Sequence, residues 1–404
     1  MIHLFINALA ASAGGGLTYV RNVVPLLAVA PVRATVLISP SLRPEFGKLP
    51  NIDFLEPRVI GLQRFWYEQS KVAELIRECS ADVLISTGNF AVRKSPVPQI
   101  LLSRNSIYIS PDYFRDLTRR HEYRTLADTY FRAILAKRSI HWADVTVAPS
   151  EAFAAELKRW TGVDVVSIHH GFDREAFTRD STSLSGEVEA KLDSAKDALK
   201  LLFVSHYNYY RNFETLIQAL PLLRQKFPQR DVRLLLTCQL AAGKNPGAYR
   251  PNSAANLIKT LGVSDMVVEL GPIPYGQLHH LYSRADLYVT PAYTESFAHP
   301  LVEAMSSGLP IVASDIAVHR EICGEAAIYF NRFAPAELAE SVAQVMASPE
   351  STQTMAATGF QRSKMFSWAL HVKKILELCD VLLRSRRGQN RESTSPQSGA
   401  IVMI

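Results

Sequence analysis

Apolar and polar residues alternate along the chain in a repeated order that predicts strands and helices in turn. Ile2–Asn7 is a short apolar run, and Leu17, Val20, Val23 and Leu27 then recur at the spacing of one helix face. Further short apolar runs predict strands at Ala34–Ser39, Asp82–Thr87, Gln99–Ser103, Val145–Ala148 and Val165–His169. Because strands that alternate with helices usually pair in parallel, this half of the chain predicts an α/β domain.

A second alternating series follows a polar, serine-rich stretch at Asp180–Lys200, which we interpret as a connection between domains. Its predicted strands are Leu201–Val204, Asp231–Thr237, Val267–Leu270, Asp286–Thr290, Leu309–Ser314 and Ala327–Phe330. Phe366–Leu383 then has a helical pattern, whereas Arg384–Gly399 has almost no apolar residue and should be disordered. A chain of 404 residues is long enough for two domains that each bury a core.

Two glutamates lie in the most regular part of the second series. Asp286–Thr290 is a predicted strand, a polar loop carries Glu295, and the following helical spacing puts Glu303 in the first turn of a short helix. Gly308 ends this helix before the next strand. Ligands of such strand–loop–helix–strand units bind at the carboxyl ends of the strands, where both glutamates fall.

The sequence around these glutamates, T-E-S-F-A-H-P-L-V-E-A-M-S-S-G-L-P-I-V-A-S-D, resembles the Glu-x7-Glu donor-site signature of retaining glycosyltransferases with the GT-B fold. The resemblance spans most of residues 1–380. It implies an α/β protein with two Rossmann-like domains that face each other across a cleft. The implied parts are an acceptor domain at 1–178, a nucleotide-sugar domain at 198–365, a helix at 366–383 that crosses back to the first domain, and a disordered tail at 384–404.

The resemblance also implies roles at the donor. Glu303 would accept hydrogen bonds from the ribose hydroxyls, which a carboxylate with two oxygens does well. Glu295 would lie near the transferred sugar. The other implied contacts are the backbone N–H groups of Phe297, Ala298 and His299, Leu301, and the backbone of Ile273 at the nucleobase. Ala298 stands where the family has a glycine, and a proline turn alone could also explain Ile273.

Cations for the donor diphosphate are expected after the strand Leu201–Val204, in S-H-Y-N-Y-Y-R. The family has G-R-x4-K here, so Ser205 stands for the glycine, His206 for the arginine and Arg211 for the lysine. Preorganised cations stabilise the charge that develops on a leaving nucleoside diphosphate. His206 is largely neutral at pH 7 unless the phosphates raise its pKa.

Other segments carry weaker signals. Gly14, Gly15 and Gly16 follow the first strand, where the family has a glycine pair beside the donor phosphates, although a tight turn would explain one of them. Arg104 and Asn105 stand where many family members have a histidine near the reacting sugar; Asn105 could orient a substrate hydroxyl or the donor phosphate, or cap the following turn. In A-P-S-E-A-F and H-H-G-F-D, we interpret Ser150 as a helix N-cap and the histidine pair as turn residues.

Composition excludes several classes of protein. The formal net charge is +6, but no lysine-rich run with aromatics supports nucleic acid as a partner. No apolar run approaches the roughly 20 residues of a membrane span, and the start of the chain predicts a strand rather than a signal peptide. The four cysteines lack CxxC spacing, which favours reduced, buried thiols in a cytoplasmic protein. No D-x-D sequence or metal-ligand spacing occurs, so we expect no metal and no cofactor.

The resemblance therefore implies a retaining glycosyltransferase that uses a GDP- or UDP-sugar, with GDP-mannose as the first choice of donor. A glycan or lipid-linked acceptor in bacterial surface polysaccharide synthesis is expected. One alternative is a non-catalytic nucleotide-sugar-binding partner protein, suggested by the substituted His206 and Ala298. The other is a GT-B enzyme of another class, a sugar-nucleotide epimerase or a phosphorylase.

A basic segment, Tyr113–Trp142, suggests a membrane partner. It carries seven cationic and three acidic residues, a net charge of +4, with aromatic residues interleaved. The cations include Arg119, Arg120 and Arg124. This composition suits an anionic membrane surface on the inner face of the cell membrane. A helix with core aromatics and solvated arginines would give the same pattern.

Overall fold

A computed structural model describes residues 1–11, 14–245 and 249–394, with the side-chain surroundings of all these except Leu62 and residues 387–394. Its contacts divide the chain into two compact units, each assembled from separate stretches. The first unit comprises Met1–Ser103, Ala136–Val147 and the C-terminal stretch from Ala369. The second comprises Arg104–Leu135 and Ala148–Trp368.

The elements follow in chain order. The strands are β1 (Ile2–Asn7), β2 (Val32–Leu37), β3 (Ile52–Leu55), β4 (Val83–Ser86), β5 (Gln99–Leu102), β6 (Val145–Ala148), β7 (Val165–Ser167), β8 (Leu199–Phe203), β9 (Val232–Leu236), β10 (Val267–Glu269), β11 (Leu287–Thr290), β12 (Ile311–Ser314) and β13 (Ile328–Phe330). The helices are α1 (Gly14–Ala28), α2 (Gly61–Glu78), α3 (Pro111–Arg119), α4 (Tyr123–Trp142), α5 (Glu151–Thr161), α6 (Arg174–Phe177), α7 (Gly186–Asp193), α8 (Phe213–Lys226), α9 (Asn252–Thr260), α10 (Leu278–Tyr282), α11 (His299–Ser306), α12 (Ala317–Cys323), α13 (Pro335–Ala347), α14 (Pro349–Ser363) and α15 (Trp368–Thr394). Short 3-10 turns lie at Arg43–Glu45, Ser106–Tyr108, Tyr209–Arg211, Ser264–Met266 and Tyr275–Gln277.

The first unit is built on a parallel sheet with β1 near its centre, in the order β3-β2-β1-β4-β5-β6. Leu4 of β1 lies opposite Ala34 of β2 and Val83 of β4, and its side chain is fully buried. Most of α15 belongs to this unit. His371 on α15 lies within 3.2 Å of the Tyr19 hydroxyl on α1. The first part of α15 therefore packs on α1, near the beginning of the chain.

The second unit is built on a parallel sheet in the order β10-β9-β8-β11-β12-β13. Strand order reverses beside β8, because β9 pairs with one edge of β8 and β11 with the other. Ligands of open α/β sheets bind outside the carboxyl ends of the strands at such a reversal. The loops that follow β8 and β11 are therefore the candidate ligand site of this unit.

Two parallel sheets with alternating helices confirm the predicted α/β class with two Rossmann-like halves. The sequence pattern does not predict β3. Ile-Asp-Phe-Leu is only four residues long and lies at the edge of its sheet, with Ile52 as its one fully buried residue. A helix, α7, also forms within the polar connection at Asp180–Lys200.

The C-terminal helix is longer than expected. Because α15 continues to Thr394, the expectation of disorder is wrong for residues 384–394. Once a helix has been nucleated, each further residue adds one hydrogen bond at little cost, so arginine and glutamine can extend it. The rest of the expected tail, residues 395–404, lies outside the described residues.

The unit boundaries also differ from the expected domain limits of 1–178 and 198–365. Those limits put Arg104–Leu135 and residues 148–178 in the N-terminal domain, whereas their contacts assign both stretches to the second unit. For Arg104–Leu135, the reason is that charged and aromatic side chains of α3 and of the residues that follow it contact the second unit.

Arg120 is the centre of a polar network in the second unit. Its Nε donates to Asp116 Oδ1 at 2.8 Å, and its Nη1 donates to Glu214 Oε1 on α8 at 2.9 Å. The Tyr293 hydroxyl, in the loop after β11, donates to Asp116 Oδ2 at 3.0 Å. Arg120 is only 19% exposed, and its guanidinium lies 4.3 Å from the ring centre of Tyr209. Arg120 is therefore an internal ion-pair residue and not a solvated cation of a basic surface.

We expect Arg120→Ala to lower the free energy of unfolding by about 3–5 kcal/mol, because it leaves Asp116 and Glu214 largely buried without their cation. Urea unfolding followed by fluorescence measures the change. The matched control is Arg119→Ala, since Arg119 is an exposed neighbour and its loss should change stability by no more than about 0.5 kcal/mol. Equal effects of the two substitutions would contradict the assignment.

Candidate active site

Asn212 ties the loop after β8 to the loop after β11. Its φ of 56° lies in the left-handed region, which asparagine adopts more readily than most residues. Its Nδ2 donates to the carbonyls of Pro291 and Arg332, at 3.1 and 2.5 Å. The N–H of Tyr293 donates to the carbonyl of Tyr210 at 3.1 Å. The two loops are therefore fixed to each other beside the strand reversal.

The joined loops bring Arg211 and Glu295 together. Arg211 Nη1 donates to Glu295 Oε1, and the two side chains are only 19% and 10% exposed. Arg211 Nε is buried as well, and within the described residues it has no hydrogen-bond partner. Buried polar groups are nearly always satisfied, so an unused guanidinium N–H at a strand reversal suits an anionic ligand.

His206 lies five residues before Arg211, in an exposed part of the same loop. The preceding residue, Ser205, is held by its N–H, which donates to Thr237 Oγ1 at 2.9 Å. Partial desolvation and the nearby Arg211 lower the pKa of His206. Without a ligand, His206 is therefore neutral at pH 7, and its expected role as a second cation requires a bound anion.

Glu303 is buried on α11, with 3% of its surface exposed. The Tyr282 hydroxyl donates to its Oε2 at 2.8 Å. Burial raises the pKa of Glu303 to about 7, although the hydrogen bond from Tyr282 opposes this effect. A buried carboxyl with a pKa near neutrality is costly to keep charged, which is typical of a functional residue.

Helix α11 begins at His299, so Glu303 lies in its second turn and not in the first as expected. Ala298 precedes the helix with a φ of 66°, in the left-handed region. A non-glycine residue pays about 1–2 kcal/mol for this conformation, which explains why glycine suits the position. The side chain of Leu301 is buried in the core, and its N–H donates to the Ala298 carbonyl at 3.0 Å. Neither group of Leu301 is therefore available to a nucleotide-sugar.

The loop that carries Glu295 is anchored by residues to which the sequence gives other roles. Ser296 Oγ donates to the Arg104 carbonyl at 2.8 Å, and Ser150 Oγ donates to the Ser296 carbonyl at the same distance. His170 Nδ1 lies 3.2 Å from His299 Nε2, with the rings stacked. Burial, and then Arg104, lowers the pKa of His299 to about 4. Ser150 also caps α5 as expected, but His170 is more than a turn residue.

The remaining candidates are Asn105, Ile273 and the three glycines. Asn105 caps the 3-10 turn at Ser106–Tyr108, because its Oδ1 accepts from the Ile107 N–H at 3.4 Å. Ile273 is half-buried between β10 and the turn at Tyr275–Gln277. The three glycines form the first turn of α1 in the first unit, starting at Gly14, and not a loop before the helix. Ala13, at the start of that predicted loop, lies outside the described residues.

Across the described ranges, no group of three or more His, Cys, Asp or Glu side chains is arranged to hold a metal ion. Metal-independent chemistry stays a prediction. No helix in the same ranges is both long and apolar enough to cross a membrane.

Comparison with known families divides the chain at the polar connection. The family described as Glycosyltransferase Family 4 matches residues 13–176. The family described as Glycosyl transferases group 1 matches residues 186–362, which include both glutamates and Arg211.

Curated relatives include D-inositol 3-phosphate glycosyltransferases. The protein from Corynebacterium aurimucosum is 25% identical over 261 residues, which are 62% of this chain and 60% of the relative. The protein from Thermobifida fusca is 27% identical over 243 residues, which are 58% of this chain and 54% of the relative. The chain thus aligns with about three fifths or less of the length of these relatives.

Solved structures share the fold over nearly the whole chain. Sucrose-phosphate synthase from Thermosynechococcus elongatus has a TM-score of 0.74 at 19% identity, covering 95% of this chain and all of that one. The Anabaena protein Alr3699/HepE, solved with UDP-glucose, has a TM-score of 0.70 at 19% identity, covering 94% of this chain and all of that one. The first half of the chain thus belongs to Glycosyltransferase Family 4 and the second half to the group 1 glycosyl transferases, and with its two parallel sheets the chain has the GT-B fold.

Proposed function

We propose that the protein transfers a sugar from a nucleotide-sugar donor to a hydroxyl group of an acceptor, with retention of the anomeric configuration. The observation that carries this proposal is the Arg211–Glu295 pair, which lies between the loops after β8 and β11. It combines a cation for the donor diphosphate with a carboxylate for the transferred sugar. The unused Nε of Arg211 supplies the donor group that a diphosphate oxygen would accept.

Glu303 would hold the ribose of the donor. Its buried carboxyl already accepts one hydrogen bond, from Tyr282. Ribose hydroxyls would add charge-assisted hydrogen bonds and would favour the ionised form. Nucleotide binding would therefore offset the cost of keeping this carboxylate charged in the protein interior.

UDP-sugars are the first donors to test. Alr3699/HepE was solved with UDP, with UDP and glucose, and with UDP-glucose. The donor favoured by the sequence, GDP-mannose, stays in the proposal as the alternative. For the acceptor, the curated relatives suggest inositol 3-phosphate, whereas the sequence favours a glycan or a lipid-linked sugar of a bacterial surface polysaccharide.

The transfer needs no nucleophile from the protein. The acceptor oxygen forms a bond to the anomeric carbon on the face from which the diphosphate departs, while the bond from that carbon to the phosphate oxygen breaks. The acceptor's proton goes to the departing phosphate. Arg211 would stabilise the charge gained by the diphosphate, with His206 joining it once the anion raises its pKa.

A panel of UDP-, GDP- and dTDP-sugars, assayed for nucleotide release and for thermal protection, tests this proposal. We expect Glu295→Gln to lower turnover about 100-fold or more, since an electrostatic contact at the sugar is lost, while nucleotide affinity changes less than about threefold. An equal loss of affinity would assign Glu295 to the nucleotide instead. Protection by a donor without any release of nucleotide would favour the non-catalytic binding protein.

Glu303→Gln should stabilise the ligand-free protein but weaken its binding of nucleotide. The carboxyl titrates near 4.5 when unfolded and at about 7 when folded. The native state therefore binds more protons between these values and loses stability as the pH rises through them. We expect the ligand-free variant to exceed the parent in unfolding free energy by about 1–3 kcal/mol at pH 8 and by little at pH 4.5.

The same variant should bind nucleotide at least about tenfold more weakly, because the ribose loses a charged acceptor. Unfolding curves at the two pH values and calorimetry with UDP and GDP provide the measurements. Glu325→Gln, at an exposed position, is the control and should change neither quantity. Unchanged nucleotide affinity in Glu303→Gln would remove Glu303 from the site.

We further propose that α4 brings the protein to the cytoplasmic face of an anionic membrane. Tyr130 and Phe131 are 63% and 66% exposed, and Tyr123 and Ile134 are exposed on the same helix face. Arg124 is exposed beside them. In contrast, Tyr113 is buried and Arg120 is ion-paired, so these two residues of the predicted basic segment face the protein interior.

Phe131→Ser combined with Arg124→Glu should lower binding to anionic vesicles about tenfold, since each membrane-facing cation contributes about 1 kcal/mol and the aromatic ring adds to it. Co-sedimentation at low and high salt measures the effect. Trp66→Ala, which removes another exposed aromatic side chain, is the control. Equal binding of neutral and anionic vesicles by the parent protein would contradict the membrane proposal.

A further inference from the structure

A cavity of about 490 Å³ lies in the second unit, against the carboxyl ends of β11, β12 and β13. Its volume falls within the range of ligand sites in proteins. Its wall combines carboxylates, guanidinium groups and aromatic rings from four loops and the end of α5. The residues used below are Asp112, Glu156, Arg159, Trp160, Glu295, Asp315 and Arg332.

Glu295 connects this cavity with the candidate donor site. It lines the cavity, whereas none of the expected nucleotide residues His206, Ile273 and Glu303 does. The cavity is therefore distinct from the place where a nucleotide would bind. If the transferred sugar lies at Glu295, a molecule in the cavity is next to the reacting sugar.

Most charges of the cavity wall are already neutralised by partners in the protein. Arg332 is committed to Asp112, with its Nε and Nη2 donating to Asp112 Oδ2 at 2.9 and 2.7 Å. Asp315 accepts two hydrogen bonds from Arg320, the longer of them 2.7 Å. Glu295 is paired with Arg211. Three of the four carboxylates of the wall are thus paired with a guanidinium group, and Arg332 is not available to a ligand.

These ion pairs leave little attraction for an anion. A phosphate in the cavity would find its guanidinium neighbours already bound to carboxylates, with only the exposed Arg159 as a cation, so its desolvation would be poorly compensated. Hydroxyl groups, in contrast, donate readily to carboxylate oxygens. Glu156 is half-buried, and burial raises its pKa although Arg159 opposes this effect; its carboxyl oxygens can accept from a hydroxyl. Trp160 gives the wall a flat apolar surface that suits the C–H face of a sugar ring.

We propose that this cavity binds the acceptor, and that the acceptor is an uncharged, hydroxyl-rich sugar and not a sugar phosphate. The inference rests on the proposed function, because it takes Glu295 to lie at the transferred sugar. An acceptor sugar on Trp160 directs one hydroxyl toward Glu295. The shape of the cavity then selects which hydroxyl reacts.

The test uses the full chain and the nucleotide-sugar that binds in calorimetry. Acceptor probes are methyl glycosides of glucose, mannose, galactose and N-acetylglucosamine, compared with glucose 6-phosphate and D-inositol 3-phosphate. Nucleotide release measures transfer, and saturation-transfer NMR measures binding directly. We expect at least one neutral glycoside to act tenfold or more better than either phosphate. Trp160→Ala should raise the KM for that glycoside tenfold or more and leave the KM for the nucleotide-sugar unchanged.

Trp160→Phe should recover most of the acceptor affinity, which distinguishes a lost ring surface from a folding defect. Glu156→Gln should raise the acceptor KM severalfold, and Trp66→Ala should have no effect. Better transfer to the phosphates than to the neutral glycosides would overturn the proposal. A Trp160→Ala variant in which the donor KM rises as much as the acceptor KM would also overturn it. If the nucleotide binds but no neutral glycoside does, the cavity assignment fails alone. If no nucleotide binds, the proposed function fails with it.

Discussion

The buried ion pair between Arg211 and Glu295 is the constraint on which the rest of the site depends. The two residues follow different strands, and each would be an uncompensated charge at low exposure without the other. The loops after β8 and β11 must therefore fold together, and Asn212 fixes them at a second point. The loop after β11 ends at Ala298, whose backbone is left-handed, and α11 then begins at His299 with Glu303 among its buried residues.

The fold could be predicted from the sequence because it depends on local patterns. Runs such as Val145–Ala148 are short, apolar and bounded by polar residues, so their boundaries agree with the structure. β3 has four residues, of which one is fully buried, so its apolar signal is too weak to identify it. The placement of Glu295 and Glu303 after β11 was predictable for a related reason, since a strand, a loop and a helix hold them within one short stretch of chain.

Partners far apart in sequence could not be predicted in this way. Arg120 and Glu214 are 94 residues apart, so no spacing rule connects them. In the sequence, Arg120 belongs to a run of cations, whereas in the structure its guanidinium is paired with Asp116 and Glu214 inside the protein. His170 and His299 are likewise 129 residues apart. A turn residue and a loop residue in the sequence form a stacked pair that only the fold brings together.

The buried carboxyl of Glu303 also makes ligand binding a proton-transfer equilibrium. With a pKa of about 7, the free protein at neutral pH is a mixture of protonated and ionised molecules. If a ligand binds only the protein with an ionised Glu303, each binding event releases on average a fraction of a proton to the solvent. The heat measured on binding would then depend on the ionisation enthalpy of the buffer. Buffers with different ionisation enthalpies would count the net protons exchanged on binding, and the loss of that signal in Glu303→Gln would give the share released at this side chain.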